Sequence, residues 1–192
     1  DEELLQKYSK VYFLNEHYVP PKLENIDLGF LVDIKEPILI HAEVWPSLQN
    51  MLVEAKNSGI EIKVSSGFRS FGQQSTLKSG YKITYGSGAN QFSADQGYSE
   101  HQLGTTVDLT TKEIGGSYNS FSQSEAYKWL VANAHKYGFV LSYPAGNKYY
   151  QFEPWHWRFV GKALAGDLHR DGKYFYDLDQ REIDKYLVNI FD

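Results

Sequence analysis

The stretch from residue 122 to 153 constrains the fold more than any other part of the chain. Ser122-Gln123-Ser124-Glu125 has capping-box spacing, in which a Ser hydroxyl and a Glu carboxylate reciprocally satisfy free amides at a helix start. Ala126, Trp129, Leu130 and Ala134 then recur at three- and four-residue intervals as one apolar face, and Gly138 supplies the stop. Two β-rich runs follow, 139–143 and 149–153, joined by Pro144-Ala145-Gly146-Asn147-Lys148, and together they predict a hairpin. His156 then falls just past a strand end.

Upstream, Leu48, Met51, Leu52 and Ala55 predict a helix from Ser47 that stops at Gly59. Ile60-Glu61-Ile62-Lys63-Val64 alternates apolar with charged residues, the period of a half-buried strand. Its end runs into Ser66-Gly67-Phe68-Arg69-Ser70, which delivers Arg69 to the strand end, and residues 73–77 predict a short helix. Residues 79–98, with glycines and small polar residues but no periodicity, predict a loop near any site. Residues 105–109 form another strand. A last helix is expected over 179–190, opened by Asp179 and Glu182 at capping-box spacing. Residues 1–44, punctuated by Val19-Pro20-Pro21 and Glu36-Pro37, read as an irregular arm wrapped on the domain.

The 192 residues, 42% hydrophobic, suffice for one compact domain, divided into the arm at 1–44 and the main body at 45–192. A net charge of -5 with scattered Lys and Arg excludes the basic footprint of a nucleic-acid binder. There are no cysteines, which removes disulfides, thiolate-held metals and thiol nucleophiles, so any metal must be held by His, Asp or Glu. No run approaches the roughly 18 apolar residues of a membrane span. The first residue is Asp1, which reads as a processed or trimmed chain from which any signal or anchor has been removed.

Within those limits one group of residues carries chemistry. His101 and Asp108 stand in Ser99-Glu100-His101-Gln102-Leu103-Gly104-Thr105-Thr106-Val107-Asp108, and His156 ends Glu153-Pro154-Trp155-His156. Two imidazoles and one carboxylate are the donor set of a catalytic zinc, which leaves the fourth tetrahedral position open to water. Glu153 is then spare, and a local turn through Pro154-Trp155 would bring it into the same cavity as His156, to act as general base. Arg69 offers a planar fork that matches a carboxylate or a polarised carbonyl. Gln74 and Ser99 are shorter-range candidates for holding substrate, and Trp155 for walling it. His17, His41, His135 and His169 read as structural or solvent-facing.

Ser66-Gly67-Phe68-Arg69-Ser70, Ser99-x-His101 followed by Gly104 and Asp108, the Tyr137-Gly138-Phe139 turn and Glu153-Pro154-Trp155-His156 together resemble the VanY-type D-alanyl-D-alanine carboxypeptidases. The wider group includes VanX-type dipeptidases, phage L-alanyl-D-glutamate endolysins and, as structural relatives, hedgehog domains. The resemblance covers roughly residues 60 to 162. It implies a small α+β fold in which an antiparallel sheet carries the site, flanked by helices. It implies one zinc per chain on His101, Asp108 and His156, with Glu153 as catalytic base. Arg69 would polarise the scissile carbonyl or grip the terminal carboxylate, with Gln74 and Ser99 assisting. The implied substrate is the peptidoglycan stem peptide, met by a monomer in the cell envelope or outside the cell, and the implied reaction is D,D-carboxypeptidase cleavage. An L,D-carboxypeptidase or endopeptidase of the same family, and a silent metal-bound binding module, are the rival readings. Thr106 departs from the family, which usually has alanine two residues before the aspartate.

Overall fold

The computed structural model describes residues 14–33, 36–85, 93–115, 118–147 and 151–191. Among them are five α-helices and two small antiparallel sheets. The first sheet pairs β1 (Leu23–Asn25) with β2 (Leu39–His41), so the N-terminal arm contributes a two-stranded ribbon. The second has the order β3-β4-β6-β5, formed by β3 (Lys63–Ser66), β4 (Thr106–Thr110), β5 (Phe139–Leu141) and β6 (His156–Phe159). The helices are α1 (Trp45–Asn57), α2 (Phe71–Tyr85), α3 (Glu125–Asn133), α4 (Lys162–Asp171) and α5 (Gln180–Leu187).

The four-stranded sheet has two buried faces of different chemistry, set by the period-two alternation of its side chains. Val64, Val107, Leu109, Trp157 and Phe159 belong to a large apolar core shared with Leu48, Met51, Leu52 and Ala55 of α1 and Ala126 and Leu130 of α3. Ile26, Leu31, Ile40 and Val44 from the arm lie in that same core. A second cluster gathers Leu164, Ala165 and Leu168 of α4 with Tyr143, Phe175, Tyr176, Leu178 and Ile183. The opposite face of the sheet carries Thr106, Asp108 and His156, all buried and all polar.

Several boundaries differ from those read in the sequence, for local reasons. The expected strand at 60–64 alternates in burial as predicted, but its ladder with β4 runs later, from Lys63. The helix expected at 73–77 extends from Phe71 to Tyr85 and occupies the first part of the predicted 79–98 loop; residues 86–92 lie outside the described residues. Its start is a reciprocal cap: the Ser70 amide donates to Gln73 Oε1 (2.8 Å) and the Gln73 amide to Ser70 Oγ (3.2 Å). The cap of α3 is Ser124, not Ser122. Ser124 has extended backbone and its Oγ accepts from the Tyr127 amide at 3.1 Å, whereas Ser122 sits in the preceding 3-10 turn.

Of the second strand of the predicted hairpin, residues 149 and 150 lie outside the described residues. Residues 151–153 are not in a strand, and β5 pairs instead with His156–Phe159, so His156 opens a strand rather than following one. Pro154 cannot donate to a ladder, and a turn at Pro154-Trp155 is closed by the His156 amide on the Glu153 carbonyl (3.1 Å) and by Trp157 Nε1 on the Pro154 carbonyl (2.9 Å). Trp157 and Phe159 then fill the core while His156 and Arg158 face the other way, a strand alternation that the aromatic and basic side chains disguise in the sequence. Helix α5 begins at the predicted cap, with Asp179 and Glu182 bonded reciprocally at 2.8 Å each way. Helix α4 was not anticipated. No helix among the described residues is long and apolar enough to cross a membrane.

Candidate metal centre

Strand register assembles the site. Asp108 on the central strand β4 stands opposite Ser66 of β3 on one side and His156 of β6 on the other, a row across three strands. His101 enters from a 3-10 turn, Glu100–Leu103, that precedes β4 and ends at Gly104 in left-handed conformation (φ 72°). The backbone of Gly67 runs so close to Leu39 that a Cβ there would strike the Leu39 carbonyl, and the Gly67 carbonyl accepts from His101 Nδ1 at 2.7 Å. Only glycine permits that approach. The turn after β3 is tied to the same place, because the Arg69 amide donates to the His101 carbonyl (3.2 Å).

Among the described residues, His101, Asp108 and His156 form the group whose ligand atoms converge, all within 4.8 Å of one another, and all three residues are buried. Each imidazole has one nitrogen already committed. His101 Nδ1 faces the Gly67 carbonyl and His156 Nε2 faces Glu100 Oε2 at 2.7 Å, so His101 Nε2 and His156 Nδ1 are the nitrogens turned toward Asp108. Both stand 3.4 Å from Asp108 Oδ1, an oxygen that is buried and finds no hydrogen-bond partner among the described residues. Ligands about 2.0–2.1 Å from a tetrahedral zinc lie about 3.3–3.4 Å from each other. The two spacings to Asp108 Oδ1 and the orphaned state of that oxygen fit a cation held between the three.

The rest of the predicted set surrounds this point. Glu153 Oε2 is 3.5 Å from His156 Nδ1, and Arg69 Nη2 is 4.0 Å from Asp108 Oδ2. Arg69 Nη1 donates to Gln74 Oε1 (2.7 Å) and Nη2 to Ser66 Oγ (3.1 Å). Gln74 is itself buried, its amide nitrogen donating to Ser93 Oγ (2.9 Å) and the Ala94 carbonyl (2.8 Å). Buried Lys78, one turn further along α2, reaches the Ser93 carbonyl and the Asp95 carboxylate. Ser99 and Trp155 line a cavity of about 230 Å³ together with Arg69, Gln74, Glu153 and the three converging residues. The other histidines lie apart from it: His41 stacks on Phe191, and His135 on His169.

Sequence reasoning missed Glu100. It has no exposed surface and accepts three bonds, from His156 Nε2 (2.7 Å), Arg158 Nη1 (2.8 Å) and the Tyr176 hydroxyl (2.7 Å). The one available signal is its place beside His101 within a motif otherwise assigned to the metal. Tyr143, also unremarked, stacks on His156 with ring centroids 4.3 Å apart.

Protonation follows from burial and neighbours. Burial pushes Glu153 up to about 7, with the Asp108 and Glu100 carboxylates adding to the rise and His156 opposing it. Burial lowers His101. In His156 burial works against the charged form, but the Asp108 carboxylate beside it and the bond to Glu100 outweigh it and push the imidazole up to about 10. Asp108 stays well below the usual carboxylate range: burial disfavours its charge, and the two imidazoles more than offset that.

Three nitrogen and oxygen donors converge beside a carboxyl raised to near neutrality, an arrangement of the class found in metal-dependent hydrolases. The comparisons narrow that class. Residues 37–162 match the family described as VanY, D-alanyl-D-alanine carboxypeptidase, and the chain belongs to that family. It is 34% identical over 170 residues to YodJ of Bacillus subtilis (strain 168), provisionally named a carboxypeptidase, covering 85% of this chain and 62% of that protein. The chain thus spans about six tenths of that relative's length. Among solved structures it is similar to the LD-carboxypeptidase LdcB, with a TM-score of 0.79 and 30% identity over 92% of this chain and 83% of that one. VanYB in complex with D-alanine-D-alanine gives a TM-score of 0.69 at 26% identity, covering 92% of each chain. A Zn(II) complex of the vancomycin resistance D,D-pentapeptidase VanY gives 0.69 at 25% identity, covering 94% of this chain and 99% of that one.

Proposed function

We propose that this chain is a zinc D,D-carboxypeptidase that removes the terminal D-alanine of peptidoglycan stem peptides, working as a monomer with one zinc in the cell envelope or outside the cell. The observation that carries the reading is the convergence of His101 Nε2, Asp108 Oδ1 and His156 Nδ1 with Glu153 at their side. Zinc held by these residues supplies, when bound, a Lewis acid that acidifies water and offsets charge developing on the scissile carbonyl. The protein's own groups do the rest. Glu153, poised near pH 7, takes the proton of the attacking water and delivers it to the leaving amine nitrogen as the carbon–nitrogen bond breaks. Arg69, held from behind by Gln74 and Ser66, keeps its fork fixed for the substrate's terminal carboxylate. Ser99 and Trp155 shape the cavity for the penultimate residues.

The higher structural similarity to LdcB than to VanYB favours a second reading, in which the bond cut joins an L to a D residue. Mass spectrometry of synthetic stem peptides decides between the two. A pentapeptide ending in D-Ala-D-Ala should lose one alanine with zinc present and none after chelation. Cleavage of the tetrapeptide alone would establish the L,D reading. Zinc-dependent binding of either peptide with neither cleaved would refute both and leave a binding module.

A further inference from the structure

A buried network ties the C-terminal part of the chain to the metal centre. Glu100 Oε2 accepts from His156 Nε2, and Glu100 Oε1 accepts from both Arg158 Nη1 and the Tyr176 hydroxyl. Tyr176 belongs to a 3-10 turn, Phe175–Asp177, between α4 and α5, and the ring of Phe175 lies under the Arg158 guanidinium, 4.5 Å from its Cζ. The turn therefore clamps the Glu100–Arg158 pair from two sides. Tyr176 is 8% exposed and lies outside residues 37–162, so the match to the family says nothing of it.

The arrangement has one geometric consequence. A ligating histidine almost always donates its other ring N–H, and the partner of that second nitrogen fixes both tautomer and ring orientation. For His156 that partner is Glu100, and the orientation of the Glu100 carboxylate depends on the two donors that occupy its other oxygen. We infer that Glu100 is a positioning residue for the metal and that Tyr176 sets its geometry, so that metal affinity depends on a turn far along the chain from every ligand. The inference rests on the reading of His156 as a zinc ligand.

The test uses the full chain and reads zinc affinity by competition with a chromophoric chelator, and ligand geometry from the visible spectrum of the cobalt(II)-substituted protein. Glu100→Gln should weaken zinc binding by about 10- to 100-fold, the usual effect of losing a carboxylate behind a ligating histidine. Since that substitution leaves Arg158 facing a neutral group inside the protein and can prevent folding, Tyr176→Phe is the decisive variant. It should weaken zinc binding severalfold and shift the cobalt spectrum. Tyr186→Phe removes an equally short phenol–carboxylate bond, to Asp167, from the same end of the chain without touching Glu100, and should change neither readout. Wild-type affinity and spectrum in Tyr176→Phe, or equal losses in Tyr176→Phe and Tyr186→Phe, would overturn the inference while leaving the zinc enzyme reading intact. Failure of the wild-type chain to bind zinc would overturn both.

Discussion

Glu153 should destabilise the metal-free protein whenever it is ionised, and replacing it by glutamine should make that protein more stable. Its side chain is 18% exposed, and burial together with the Asp108 and Glu100 carboxylates raises its pKa from the ordinary 4.5 to about 7 against the pull of His156. Carrying the carboxyl across that interval costs roughly 3 kcal/mol once the group is charged. The direction follows from proton counting. Between pH 4.5 and 7 the folded state holds a proton that the unfolded state has lost, so the Glu153 contribution is most favourable below 4.5 and declines as pH rises through 7. Urea unfolding followed by tryptophan fluorescence, with a chelator present, measures it. Glu153→Gln should exceed wild type by about 2–3 kcal/mol at pH 8, by less at pH 6 and by nothing resolvable at pH 4. Zinc should shrink the gap at pH 8, since a dication held by His101, Asp108 and His156 offsets the nearby negative charge. Equal stability of the two proteins at pH 8 without metal would refute the argument that burial, rather than hydrogen bonding, governs this carboxyl. The same variant should keep its zinc and lose turnover by about 100- to 10,000-fold.

Arg69→Lys should raise KM about tenfold or more with zinc content unchanged, because a lysine cannot bond Gln74, Ser66 and a substrate carboxylate in one plane; steady-state kinetics on the cleaved stem peptide measure it. Ser124→Ala should cost about 1 kcal/mol, lowering the melting temperature by roughly 2–4 °C while kcat/KM stays constant. That outcome also separates the observed cap from Ser122, whose substitution should have little effect. Gly138→Ala should cost about 2 kcal/mol by thermal or urea melting, since φ is 84° and the new methyl would meet the edge of the Phe159 ring at 2.6 Å.

How much of this was legible in the sequence depended on whether the determining interactions were local. The cap at Asp179 and the stop at Gly59 are set within a few residues and read correctly, whereas α3 already ends at Asn133 and Gly138 closes the 3-10 turn, Ala134–Tyr137, that follows it. The reciprocal pair Ser70 and Gln73 is equally local and marks the true start of α2. Glu100 could not be read, because its role requires residues 56, 58 and 76 positions away. Strand β6 is the instructive case. Its register with β4 puts His156 beside Asp108 and Trp157 beside Val107, so the site and the core are fixed by the same alternation. A slip of one residue would turn His156 into the apolar core and Trp157 into the metal centre. Trp157 and Phe159 therefore help to fix His156 beside Asp108, by making every other register of β6 too costly to populate.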